Sequence, residues 1–187
     1  MTTNQKIWGK TILSSYNYLQ HLCNSIDKLV KMVAVNSYYS YTFKNTQNSI
    51  SNISDKIINL TNRKIDYINL KILIEKALKD IPTLYAKLLI LKYIHKLPIL
   101  KACEILNISK RSSYKKLEQA LSSFMAKLAT FGYNTEKIEV EFFGDPFINS
   151  IFKLIERNNF VLDEKADVIS NDSVFKKYIS ELMTATI

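Results

Sequence analysis

Glycine and proline punctuate a chain more reliably than any other residues, and this sequence has three of each in 187 positions. Hairpin turns and bulges draw heavily on both, so a sheet-rich fold is disfavoured and a mainly α protein is expected. Apolar residues at 47% are enough to build a core.

Their spacing says where. From residue 6 to about 36, Ile7, Trp8, Ile12, Leu13, Tyr16, Leu19, Leu22, Cys23, Ile26, Leu29, Val30 and Val33 recur in steps of three and four, which predicts one amphipathic helix. NSYYSYTFKNTQNS, residues 36–49, has no period and reads as a loop. Its Tyr38, Tyr39 and Tyr41 are of a kind that caps a bundle or stacks on unpaired bases. The steps resume at Ile50, Ile53, Ile57, Leu60, Ile65, Ile68, Ile72 and Leu73, slipping between Leu60 and Ile65. Residues 1–80 are therefore expected to form a helical hairpin or small bundle for scaffolding or oligomerisation.

Charge divides the chain. Lys and Arg number 26 against 17 acids, a net +9 that favours a polyanionic partner. Residues 87–127 alone reach +7, whereas residues 128–187 come to −4, so the two regions are expected to meet different partners. MTTNQKIWGK lacks the apolar core of a secretory signal, and the aliphatic run Leu88–Leu91 lies between Lys87 and Lys92. A soluble, intracellular protein is expected. Cys23 and Cys103 sit in apolar patterns and read as small buried hydrophobes.

The basic middle has the punctuation of two short helices joined by a turn. Ile81-Pro82 closes the preceding helix, and a helix from about Thr83 to His95 is expected to bury Leu84, Leu88, Leu91 and Tyr93 or neighbours. Pro98 opens the next, whose buried stripe is Ile99, Ala102, Cys103 and Leu106. Asn107 suits a left-handed turn and Ser109 an N-cap. The following helix should bury Ser113, Leu117, Ala120, Leu121, Phe124 and Leu128, turning Lys110, Arg111, Ser112, Tyr114, Lys115 and Glu118 outward. Residues 81–128 thus read as a helix-turn-helix that presents a cationic recognition helix to a major groove.

The same run, ALKDIPTLYAKLLILKYIHKLPILKACEILNISKRSSYKKLEQAL, resembles the fourth conserved region of bacterial sigma factors. With KNTQNSISNISDKIINLTNRKIDYINLKILI before it, the chain looks closer still to phage and prophage late-gene transcription regulators of the ArpU and RinA kind. It departs from the sigma pattern at Cys103, Asn107 and Ser113, where alanine, glycine and valine or isoleucine are common. The resemblance implies sequence-specific binding of double-stranded promoter DNA in a bacterial or phage-infected cytoplasm. It also implies RNA polymerase as a further partner, with no cofactor. Lys110 and Lys115 would then meet phosphates, Ser109 would cap, Arg111, Ser112 and Tyr114 would read bases, and Lys101 and Lys116 would join the DNA-binding surface. The alternatives are a sigma factor proper, bound to core polymerase, and a small-terminase-like packaging component.

Residues 129–187 read as an acidic α+β extension. KIEVEFF, residues 137–143, alternates like a strand, Gly144-Asp145-Pro146 turns, residues 147–157 and 174–183 have helical spacing, and NFVLDEKADVIS offers a second strand. Glu139 and Glu141 would share a strand face, with Asp163, Glu164 and Asp167 beyond, yet no ligand set or Gly-rich phosphate loop is recognisable. His21 and His95 have no catalytic partner at useful spacing, so no enzyme is expected.

Overall fold

The computed structural model describes residues 1–44, 47–159 and 171–184, and no strand occurs among them. The side chains of residues 36–44, 47–52, 159, 171, 183 and 184 lie outside that description.

Helices α1 (Thr3–Lys44) and α2 (Gln47–Asp80) form an antiparallel hairpin. Its direction follows from the pairs Asp27–Lys64, Gln20–Lys71 and Tyr16–Glu75, in which one number falls as the other rises. All twelve positions of the first apolar stripe are buried or half-buried. Thr11 and Ser15 are buried with them at little cost, because their hydroxyls donate to the Ile7 and Ile12 carbonyls of the same helix. The loop expected over residues 36–49 is not there: helical backbone runs to Lys44 and resumes at Gln47. Aromatic and polar residues without a period still propagate a helix that is already nucleated. The side chains of Tyr38, Tyr39 and Tyr41 lie outside the described residues.

The second stripe is turned from its expected orientation. Leu60 and Leu73 are buried as expected, but Ile65, Ile68 and Ile72 are exposed, and Tyr67, Leu70 and Ile74 go inward in their place. Helix α2 has two apolar faces, and α1 takes the one that contains the large Tyr67 ring.

Helix α3 (Thr83–Leu89) continues into a π-helical turn, Ile90–Ile94. Leu88 is buried as expected, with Leu89 beside it, while Leu84 is exposed; the wider turn that follows leaves Leu91 and Tyr93 half-buried. Lys96, at φ 56°, ends this segment. Its ammonium donates to Tyr18 Oη at 2.7 Å and Asp172 Oδ1 at 2.9 Å.

Helices α4 (Ile99–Ile105) and α5 (Ser113–Thr130) follow, then α6 (Thr135–Phe142), α7 (Pro146–Asn159) and α8 (Asn171–Thr184). The described part of the acidic extension consists of helices joined by turns, with no strand, which corrects the expected α+β reading. Asn134 caps α6 by accepting from the Lys137 amide at 2.9 Å, and Glu136 sits in the first turn. A strand would put Ile138, Val140 and Phe142 on one face. The helix buries Ile138 and Phe142, four apart, and leaves Val140 86% exposed. Glu139 and Glu141 consequently leave the helix in different directions. The second expected strand, residues 159–170, and with it Asp163, Glu164 and Asp167, lies outside the described residues apart from the helical backbone of Asn159.

The extension packs on the hairpin through aromatic rings. Trp8 meets Phe152 at 4.5 Å between centroids, and Tyr18 contacts both Phe147 and Phe175. A polar cluster joins α2, α7 and α8: Tyr67 Oη donates to Asp145 Oδ2 at 2.7 Å and lies 3.2 Å from Tyr178 Oη, which accepts from Arg63 at 3.1 Å. Asp145 Oδ1 also accepts from the Ile148 amide at 2.8 Å, capping α7. The buried apolar residues form one continuous cluster from α1 to α8, so the described parts of residues 1–80, 81–128 and 129–187 share a core. Among the described residues, no helix is long and apolar enough to cross a membrane.

Candidate nucleic-acid interface

Helix α4 is held by its small face. Ile99, Ala102 and Cys103 are buried and Leu106 is half-buried, as the spacing predicts. Burial pushes the Cys103 thiol above its usual range, as it does for Cys23, which disfavours the reactive thiolate at both. Asn107 then adopts φ 54°, and its amide donates to the Glu104 carbonyl at 3.2 Å while the Ile108 amide donates to the Cys103 carbonyl at 2.8 Å. These two bonds make a Schellman motif, which satisfies orphan carbonyls and sends the chain out of α4.

The entry to α5 is tighter than expected. Ser109 is extended, but its hydroxyl caps no backbone amide; it bonds Ser112 Oγ at 2.8 Å. Lys110, Arg111 and Ser112 form a 3₁₀ turn, and the Ser112 amide donates to the Ser109 carbonyl at 3.0 Å. The tight turn supplies the backbone bond that a side-chain cap would have provided. Ser113 begins the α-helix fully buried, its hydroxyl donating to the Lys110 carbonyl at 2.8 Å. A small residue there brings α5 close to its neighbours with its polar atom satisfied.

Below this tip, Leu117, Ala120, Leu121, Phe124, Met125 and Leu128 are buried. Gly9 of α1 allows the close approach: a Cβ there would lie 3.1 Å from Met125 Sδ. Gly132, at φ 84°, ends α5 with a second Schellman pair, Tyr133 to Leu128 and Gly132 to Ala129.

With one side of α5 anchored, the sequence-predicted site residues take their places on the other. Ser109, Lys110, Arg111, Tyr114 and Lys115 are exposed together at the start of the helix, Ser112 is half-buried, and Lys101 is exposed on α4. Lys116 is drawn partly inward, its ammonium 5.9 Å from the centre of the Tyr85 ring, while Tyr85 Oη donates to Gln119 Oε1 at 3.4 Å. Tyr85 thus braces the flank of α5 from α3.

One contributor, Lys6, escaped the sequence. Glu118, the single acid on the exposed face of this helix start, is paired with Lys6 of α1, and that ammonium holds its carboxyl below the usual carboxylate range. Phosphate approaching the tip therefore meets a neutralised pair beside several cations. No local spacing could announce a partner so far away in sequence.

The arrangement suits a polyanion: backbone amides at a helix start, uncompensated cations, and an amphipathic phenol. It offers little for bond-making. His21 and His95 are exposed on different elements, and no group of three His, Cys, Asp or Glu that could hold a metal occurs among the described residues. No protein-family model, curated protein or solved structure matches the chain.

Proposed function

We propose that this chain is a sequence-specific DNA-binding transcription regulator of the sigma-like, phage late-gene activator type, acting on promoter DNA in a bacterial or phage-infected cytoplasm. The observation that carries the reading is the exposed group Lys110, Arg111, Tyr114 and Lys115, held outward by buried Ser113, Leu117 and Ala120 behind a left-handed Asn107 turn. In this reading α5 enters the major groove, Arg111 forks onto a guanine edge, Ser112 and Tyr114 contact neighbouring base edges, and Lys101, Lys110, Lys115 and Lys116 meet phosphates. The C-terminal extension, residues 129–187, whose net charge is negative, serves a protein partner such as RNA polymerase.

Fluorescence anisotropy with duplex DNA over a salt series tests it. Arg111→Ala should weaken specific binding by about 1–3 kcal/mol, and Lys115→Ala should weaken binding to every sequence and flatten the salt slope by about one unit. Equal affinity of wild type and the Arg111/Lys115 double alanine variant for every duplex would refute the assignment.

A further inference from the structure

Helix α2 carries a second apolar face that the described residues leave open. Ile58, Ile65, Ile68 and Ile72 are each between 40% and 54% exposed, on the side of α2 opposite the residues packed on α1. Single exposed aliphatics are ordinary, but these follow steps of seven, three and four, the a and d positions of a heptad, over about 21 Å of helix. Thr61 fills the remaining inner d position, its hydroxyl already bonded to the Ile57 carbonyl at 2.8 Å, which suits it to contribute a methyl group.

We propose that this seam is the self-association face of the protein, occupied by α2 of a second copy running antiparallel in a two-fold dimer. Charge on the flanks selects this occupant and direction. With Ile65 set against the partner's Ile68, Asp55 falls beside the partner's Lys76, and two-fold symmetry repeats the pair at the other end. Both Asp55 and Lys76 are exposed. Asn62 falls beside the partner's Asn69 between them. A parallel pairing instead sets Lys71 beside the partner's Lys76 on both edges. On the opposite flank of the antiparallel pairing, Lys64 and Lys71 face each other across the seam, but Lys64 is neutralised by Asp27 at 2.6 Å, whereas the parallel pairing would set Lys71 against Lys76, which has no ion-pair partner among the described residues. At the seam's end, Glu75 turns to Tyr16, whose hydroxyl donates to it at 2.8 Å.

The inference is independent of the DNA reading and is tested without DNA. Sedimentation equilibrium of the full chain over a wide concentration range should give a monomer–dimer equilibrium. Ile65→Lys/Ile68→Lys should weaken it about a hundredfold or more with unchanged far-ultraviolet dichroism, since both positions are exposed in the protomer. Asp55→Lys should weaken the dimer about five- to tenfold at low salt, and Asp55→Lys/Lys76→Asp should restore it. A monomer at all concentrations, a higher oligomer, a dimer indifferent to the double lysine variant, or a charge exchange without loss and rescue would each overturn the proposal.

Discussion

Replacing Tyr67 by phenylalanine isolates one hydroxyl on which the attachment of the C-terminal helices α7 and α8 rests. The ring is 1% exposed, and phenylalanine fills the same space, so packing on α1 is retained. What disappears is the 2.7 Å bond to Asp145 Oδ2 and the 3.2 Å contact with Tyr178. Asp145 keeps the Ile148 amide on its other oxygen, but Arg63 Nε stands 3.9 Å away, too far to replace the lost donor. A bond to a carboxylate contributes about 1.5–3 kcal/mol, so Tyr67→Phe should cost about 2 kcal/mol of folding stability. For a chain of this size, that lowers Tm by about 4–8 °C. Urea denaturation followed by far-ultraviolet dichroism measures the cost, with Tyr178→Phe as the comparison. The Tyr178 variant should lose less, about 1 kcal/mol: its hydroxyl accepts from the Arg63 guanidinium, but that side chain is 35% exposed and recovers water when the phenol is gone, whereas Asp145 is 12% exposed. A Tyr67→Phe protein within about 0.3 kcal/mol of wild type, or less damaged than Tyr178→Phe, would refute this account of the cluster.

Other outcomes follow from the same geometry. Burial raises the phenols of Tyr67 and Tyr178, and burial with the Glu75 carboxylate pushes Tyr16 up to about 12. The unfolded chain loses these protons near pH 10 while the folded chain retains them, so stability is fully present below about pH 10 and falls above it. The urea midpoint should therefore drop between about pH 10 and 12, and less steeply in Tyr67→Phe; a flat or rising midpoint would contradict the assignment. Asn107→Val forces a β-branched residue to φ 54° and should cost about 1–2 kcal/mol in the same urea assay, whereas Asn107→Gly should be neutral or slightly stabilising. Lys6→Ala leaves Glu118 unpaired beside the cations and should lower DNA affinity about two- to fivefold at low salt, with Glu118→Gln restoring it in anisotropy titrations.

The elements legible in the sequence are those whose determinants lie within one helix turn. The α1 stripe could be read directly because that helix has one apolar face and a steady period. The exit from α4 was legible in Asn107, and the buried side of α5 in the spacing of Ser113, Leu117, Ala120, Leu121, Phe124 and Leu128. Misreadings arose wherever two patterns overlapped. Helix α2 has apolar residues on opposite faces, so periodicity alone could not say which face meets α1. KIEVEFF satisfies both a period of two and an i, i+4 pair, and the Asn134 cap decides for the helix. The π-turn after Leu89 shifts the register without any glycine or proline to mark it. At the candidate site, the cationic residues could be read from charge and spacing. The partners that tune them, Lys6 on Glu118 and Tyr85 beneath Lys116, come from distant segments and become visible once the helices are packed.

Selection of bound duplexes from random DNA at one fixed salt concentration, run in parallel on wild type and on Arg111→Ala/Lys115→Ala, tests the central claim most directly. The account predicts an enriched motif with wild type, lost or relaxed in the variant while its helical dichroism is unchanged. Pools that remain random with wild type, or the same motif recovered with both proteins, would contradict a recognition role for the start of α5.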